Sequence, residues 1–135
     1  MQVCRFAGKG MRQEDFEKLT ERAISRLPAE FRDRLENVDI VVEDWPSTRQ
    51  LGRAKARGRM GLLGLYEGVP RTSRGRGYNM VLPDKITIFR RPIEARCGSS
   101  REVEREIERV VRHEIAHHFG MGEDELRAIE GGDAG

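Results

Sequence analysis

Residues 103–118 read VEREIERVVRHEIAHH, a stretch in which an apolar residue recurs every four positions. The recurring residues are Val103, Ile107, Val111 and Ile115. This spacing is typical of one buried face of an α-helix. Ser99 or Ser100 can cap the start of the helix, and Gly120 can end it in a left-handed conformation. We therefore expect an amphipathic helix that packs its apolar face on the core.

Three histidines lie near the C-terminal end of this helix. His113 and His117 are four residues apart, so both imidazoles can point at one metal ion about 2 Å away. At about 100° per residue, this face lies roughly opposite the apolar one and is open to substrate. Glu114 is next to His113, where its carboxylate can act as general base on a metal-bound water. His118 falls near the apolar face, and we expect it to pack there without binding metal.

A zinc site needs a third protein ligand, and every histidine of the chain lies between residues 113 and 118. A carboxylate is therefore the expected third ligand. Gly120 can turn the chain back after the helix and bring Glu123 towards the metal, with Asp124 as the alternative. Either acid could instead cap a short last helix, so both roles stay open.

The other predicted elements follow from hydrophobic period and turn residues. A helix is expected over residues 13–27, where Pro28 stops it, and a short last helix over residues 123–129. Residues 38–42 and 62–66 are apolar enough for core strands. Residues 85–93 alternate and end at an Arg-Pro pair, which favours an edge strand. Charges and glycines over residues 49–59 predict a surface loop.

With 135 residues, the chain has the length of one domain. We expect this domain to cover residues 13–130, with a disordered tail over residues 1–12 and a frayed tail over residues 131–135. The N-terminus lacks the zones of a secretion signal, and no apolar run approaches the roughly 20 residues that span a bilayer. Together with the presence of only two cysteines, this pattern predicts a cytoplasmic protein.

Charged residues make up 36% of the chain, against roughly a quarter in typical globular proteins, yet the net charge is only +2. Arginines concentrate over residues 53–59 and 71–76, without interleaved aromatic side chains. The low net charge and the lack of stacking groups argue against a nucleic-acid partner.

With these residues in place, the chain resembles the minimal, single-domain zincin-like metallopeptidases of bacteria, whose motif is HExxHxxGxxD. His113, Glu114, His117 and Gly120 stand in register with that motif, and Glu123 occupies the position of its aspartate. The similarity also covers residues 38–43, 62–70 and 82–92. It implies a small α+β fold in which a short mixed β-sheet packs on the active-site helix, beside the N-terminal and short C-terminal helices.

The resemblance also implies an activity. A Zn²⁺-dependent peptidase would hold its metal through His113, His117 and Glu123, with Glu114 activating the metal-bound water. An extended peptide would pair with an edge strand, for which the segment from Lys85 to Arg91 is the candidate. The alternative is a domain that keeps the zincin fold, binds zinc or a partner, and catalyses nothing.

Overall fold

The structure is a computed structural model, and it describes residues 11–55, 58, 60–69 and 82–120. The described helices are α1 (Gln13–Ser25), α2 (Ala29–Arg32), α3 (Thr48–Ala54), α4 (Arg90–Arg96) and α5 (Ser100–His118), with a 3₁₀ turn at Asp33–Leu35. The described strands are β1 (Val38–Glu43), β2 (Gly64–Glu67) and β3 (Asp84–Phe89). The predicted last helix at residues 123–129 and the tail at residues 131–135 lie outside the described residues.

The three described strands form one mixed sheet in the order β1, β3, β2. β1 and β3 are parallel, with Ile40 opposite Ile86, whereas β2 and β3 are antiparallel, with Leu65 opposite Thr87. The parallel pair requires a long crossover, and this crossover contains α3 and β2. The expected small α+β fold with a short mixed sheet is confirmed.

β3 lies in the middle of this sheet, so the prediction that Lys85 to Arg91 forms an edge strand is wrong. The strand ends at Phe89, and the next residues begin α4, so Arg91 and Pro92 belong to the first turn of that helix. Proline is tolerated there because the first N–H groups of a helix have no partner within it. The Arg-Pro pair therefore marks the start of a helix and not an exposed sheet edge.

The core lies between the sheet and the two long helices, α1 and α5. Phe16 and Ala23 of α1 are fully buried, and Ile86 and Ile88 of β3 belong to the same buried apolar cluster. The apolar face of α5 is fully buried as predicted, through Val103, Ile107, Val111 and Ile115. Each such aliphatic side chain contributes about 1.5–3 kcal/mol when removed from water, so α5 is fixed firmly on this side.

Residues 48–54 form α3, so the prediction of a loop over residues 49–59 is wrong for its first half. The helix begins with a capping box. Ser47 Oγ accepts a hydrogen bond from the Gln50 amide at 3.1 Å, and Gln50 Oε1 accepts one from the Ser47 amide at 2.8 Å. These reciprocal bonds satisfy two amides that a helix start leaves open, which stabilises even this short, charged segment.

The folded part already includes Met11, whose side chain is only 8% exposed and belongs to the core. The Met11 carbonyl accepts a hydrogen bond from Arg90 Nη1. Met11 and Arg12, which the sequence assigns to a tail over residues 1–12, thus belong to the described part of the chain, whereas residues 1–10 lie outside it. In the part of the chain that is described, no helix has both the length and the apolar character to cross a membrane.

Candidate metal centre

α5 carries the histidines, and specific contacts define both of its ends. Ser99 caps the start, where its Oγ accepts a hydrogen bond from the Glu102 amide at 3.2 Å. At the other end, Gly120 has a φ of +67°, a left-handed conformation that favours glycine. Both helix signals predicted from the sequence are confirmed. The helix therefore extends through His117, and the two candidate ligands lie in its last turns.

His113 and His117 lie on the exposed face of α5. Val111 and Ile115, close to them in sequence, are fully buried on the core face. Because side chains four residues apart on a helix lie one above the other, both imidazoles project from the same side. Two nitrogen donors on a solvent-open helix face fit zinc, which combines imidazole ligands with an open coordination position in catalytic sites.

The third ligand is not among the described residues. Within residues 11–55, 58, 60–69 and 82–120, no group of three potential metal ligands comes together. The predicted ligand Glu123 and its alternative Asp124 both lie outside these residues. The described chain thus supplies a pair of nitrogen donors, and the identity of the third ligand stays a prediction.

Glu114 is half-buried and turns towards the sheet. Its Oε1 accepts a hydrogen bond from the backbone amide of Tyr66 at 3.0 Å. Burial raises the pKa of the Glu114 carboxyl, and this effect outweighs the opposing effects of the Tyr66 hydrogen bond and of charge on His113 and His117. A carboxyl group whose pKa is raised towards neutrality is suited to accept a proton and release it again.

The Tyr66 amide belongs to the outer edge of β2. The Leu63 carbonyl accepts a hydrogen bond from the Phe89 amide of β3 at 3.0 Å. Because backbone groups alternate in direction along an antiparallel strand, residues 65 and 67 also face β3, whereas residues 64 and 66 face away from it. Glu114 therefore holds a backbone group at the sheet edge beside the histidine face.

Gly64 allows β2 to approach α5 this closely. A Cβ atom at this position would lie 2.6 Å from Val110 Cγ1 and 3.3 Å from the Thr87 carbonyl oxygen. Val110 is β-branched and buried, so it has little freedom to move aside. The absence of a side chain at residue 64 thus sets the distance between the strand and the helix that carries Glu114.

The side chain of Tyr66 makes a second contact with α5. Its ring stacks on His118, with centroids 3.8 Å apart and planes 16° from parallel, and Phe119 packs edge-on against both. The Tyr66 hydroxyl is bonded to Asp84 Oδ2 at 2.7 Å. His118 therefore stacks on the half-buried ring of Tyr66 and is itself exposed, and does not pack on the apolar face of the helix where the sequence predicts it. Sequence reasoning missed Tyr66 and Asp84, because their roles depend on the pairing of β2 with β3.

A cavity of about 270 Å³ opens beside His113 and Glu114. Residues 61–64 form its wall on the strand side. Arg96, Arg109 and Val110 line the rest. The candidate centre thus has an open space in front of a histidine and a carboxyl group, as a site for a substrate requires.

A small α+β domain with two histidines on the open face of one helix, and a glutamate beside them that turns towards the sheet, has the features of the zincin class. The family model described as zincin-like metallopeptidase matches residues 35–133, which is most of the chain. The protein belongs to this family. The match includes the whole sheet and α5, whereas α1 lies before it. No curated protein matches the sequence.

Proposed function

We propose that this protein is a zinc-dependent peptidase. The observation that carries the proposal is the position of Glu114, which lies one residue from His113, beside an open cavity, and is held by the Tyr66 amide. Membership of the zincin-like metallopeptidase family supports the same function. We infer that His113 and His117 hold the zinc and that Glu123 completes its ligands.

The proton transfers are assigned to Glu114. Zinc, when bound, supplies a Lewis acid that polarises the scissile carbonyl group. The Tyr66 amide engages Oε1 of Glu114 and orients the carboxylate, so that Oε2 can accept a proton from the attacking water. The same carboxyl group then delivers this proton to the leaving amine. Such proton transfers contribute about 10²–10⁴-fold to a rate.

We infer that the substrate is an extended peptide and that it lies along the outer edge of β2. The segment from Lys85 to Arg91 cannot be the strand that pairs with the substrate, because β3 lies in the middle of the sheet. We therefore assign this role to the edge strand β2. Residues 64 and 66 direct their backbone groups outward, and the Tyr66 amide is already bonded to Glu114. Gly64 is therefore the position at which a peptide backbone would add to the sheet.

The test compares the wild-type protein with Glu114→Gln. Zinc content is measured by mass spectrometry of the purified protein, and cleavage is measured on a peptide library by the appearance of new termini. We expect Glu114→Gln to keep its zinc and to lose cleavage by about 10²-fold or more, because the amide cannot accept the proton. Equal cleavage by both proteins would dispose of the hydrolytic role.

Histidine variants separate the metal ligands from their neighbour. His113→Ala and His117→Ala are expected to lose zinc and cleavage together. His118→Ala is the matched control, since His118 stacks on Tyr66 and is not assigned to the metal. It is expected to retain zinc. If His118→Ala lost zinc while His117→Ala kept it, the assignment of the ligands would be wrong.

A second candidate function is a zinc-binding domain that catalyses nothing. The observation that favours it is the engagement of Glu114 by a backbone amide, a contact that also serves a purely structural role. For such a domain we expect bound zinc and no cleavage by the wild-type protein. Cleavage by the wild type that is lost in Glu114→Gln would exclude this candidate.

A further inference from the structure

A groove lined by arginines follows the solvent side of α5 away from the candidate metal centre. It encloses about 730 Å³. The arginines that line it are Arg26, Arg96, Arg101, Arg105, Arg109 and Arg112. Glu102, Glu106 and Glu108 share the lining, so positive charges outnumber negative ones there by two to one. We call this feature the arginine groove.

The arginine groove adjoins the cavity beside His113 and Glu114. Arg96 and Arg109 line both of them. A chain bound in front of Glu114 can therefore continue into the groove, past these two side chains. The charge of the groove therefore affects which substrates can bind at the candidate centre.

Several of these guanidinium groups are available to a ligand. Arg96, Arg101 and Arg105 are exposed and form no salt bridge with an acid in the described part of the chain, although the charge of Arg96 helps to lower the pKa of the nearby Glu106. Arg109, in contrast, is paired with Glu106 at 2.6 Å. Guanidinium groups bind carboxylates through two parallel hydrogen bonds, so the unpaired arginines match carboxylate side chains in particular.

The spacing of the arginines on α5 matches an extended peptide. Arg105 and Arg101 are four residues apart, or about 6 Å along the helix, whereas Arg109, between Arg105 and His113, is already held by Glu106. Side chains on one side of an extended peptide recur every second residue, about 6–7 Å apart. Two carboxylates at alternate positions of a peptide that runs along α5 would therefore meet Arg105 and Arg101.

We propose that the arginine groove selects acidic peptides, with carboxylate side chains at alternate positions on one side of the scissile bond. The proposal rests on the function proposed above, because it names the substrate class of the same centre. A peptide is favoured over a nucleic acid by the lining itself. The described lining residues include no aromatic side chain on which a base could stack, whereas guanidinium groups suffice to bind carboxylate side chains.

Binding is tested without turnover, in the full-length Glu114→Gln protein. The probe is a fluorescein-labelled peptide of about ten residues in which glutamate alternates with alanine, and its affinity is measured by fluorescence anisotropy. A peptide with glutamine in place of glutamate controls for charge, and a single-stranded DNA of equal charge controls for the class of polymer. We expect the acidic peptide to bind about tenfold tighter than the glutamine peptide.

Two double variants locate the binding surface. Arg101→Glu with Arg105→Glu reverses the groove, and Lys18→Glu with Arg32→Glu makes the same change of charge at exposed residues outside it. Thermal unfolding first establishes that both variants fold. We expect only the groove variant to lose the preference for the acidic peptide. Equal affinities for the two peptides, equal effects of the two variants, or tighter binding of the DNA would overturn the proposal.

Cleavage by the wild-type protein provides a second readout. Two fluorogenic peptides carry alternate glutamates either before or after the scissile bond, and kcat/KM is measured for both. We expect the acids to raise kcat/KM on one side only, because the groove leaves the centre in one direction. Equal values would count against the proposal. If the wild type cleaves no peptide at all, the proposed peptidase function is wrong. The anisotropy measurement then still tests whether the arginine groove binds acidic peptides.

Discussion

The core face and the open face of α5 differ in how strongly the function of each depends on specific contacts with other elements. On the core face, Val103 and Ile107 are fully buried and need only apolar neighbours. On the open face, His113 and His117 are exposed, and the adjacent Glu114 takes its orientation from a strand far away in sequence. Burial is non-directional, whereas a hydrogen bond requires one donor in one place. The core face of α5 therefore needs only apolar neighbours to stabilise the fold, whereas the proposed chemistry needs one hydrogen-bond donor in a defined position.

The largest expected effect comes from the core face. Ile107→Ala should lower the free energy of unfolding by about 2–5 kcal/mol, because it leaves a cavity in a packed interior. His113→Ala is the counterpart on the open face, and in zinc-free protein it should change this free energy by less than about 0.5 kcal/mol. Urea denaturation of both variants measures the difference. Similar losses would mean that the two faces are not separate in function.

An intermediate effect on the free energy of unfolding is expected where β2 packs against α5, between its core face and its open face. Gly64→Ala should cost about 1–3 kcal/mol, because its Cβ would collide with Val110 and displace β2 from α5. Cleavage should fall as well, since the Tyr66 amide would move away from Glu114. Gly52→Ala is the control, because a Cβ in the middle of α3 meets nothing within 4 Å. We expect Gly52→Ala to keep or slightly raise stability. Equal stabilities for the two variants would contradict the close packing described for β2.

The smallest effect is expected from the Glu106–Arg109 pair on the open face. The hydrogen bond from Arg109 holds the pKa of Glu106 below its ordinary value. The pair therefore stabilises the fold above about pH 4.3, the ordinary pKa of glutamate, and this contribution is lost as the pH falls through the lowered pKa. Glu106→Gln should cost about 0.5 kcal/mol at neutral pH and nothing in strong acid. Denaturation curves at several pH values measure this cost, and a cost that persists in acid would contradict the assignment.

The parts of the structure that depend on local pattern could be predicted from the sequence. The four-residue spacing of Val103 and Ile107 gave the core face of α5, and Gly120 marked its end. The helix α3 was also readable in principle from the capping box of Ser47 and Gln50. Its charges and glycines obscured the helical period, so the segment was predicted as a loop.

The parts that depend on pairing between distant segments could not be predicted. A strand's place at the centre or the edge of a sheet is set by its neighbours, and the alternation in residues 85–89 does not contain that information. The contact between the Tyr66 amide and Glu114 likewise requires the position of β2 on α5. The histidine pair was visible because both members lie on one helix, whereas the donor that orients the acid lies on another element.

The partner of Glu114 is a main-chain group, and this has a consequence for genetics. Most substitutions of Tyr66 leave an N–H at the same point of the backbone, so alanine scanning would report on the ring and miss the hydrogen bond. Only an exchange that deletes the N–H itself, such as Tyr66→Pro or replacement of the amide by an ester, addresses the contact. A change of side chain at residue 66 that keeps the N–H therefore leaves this hydrogen bond in place.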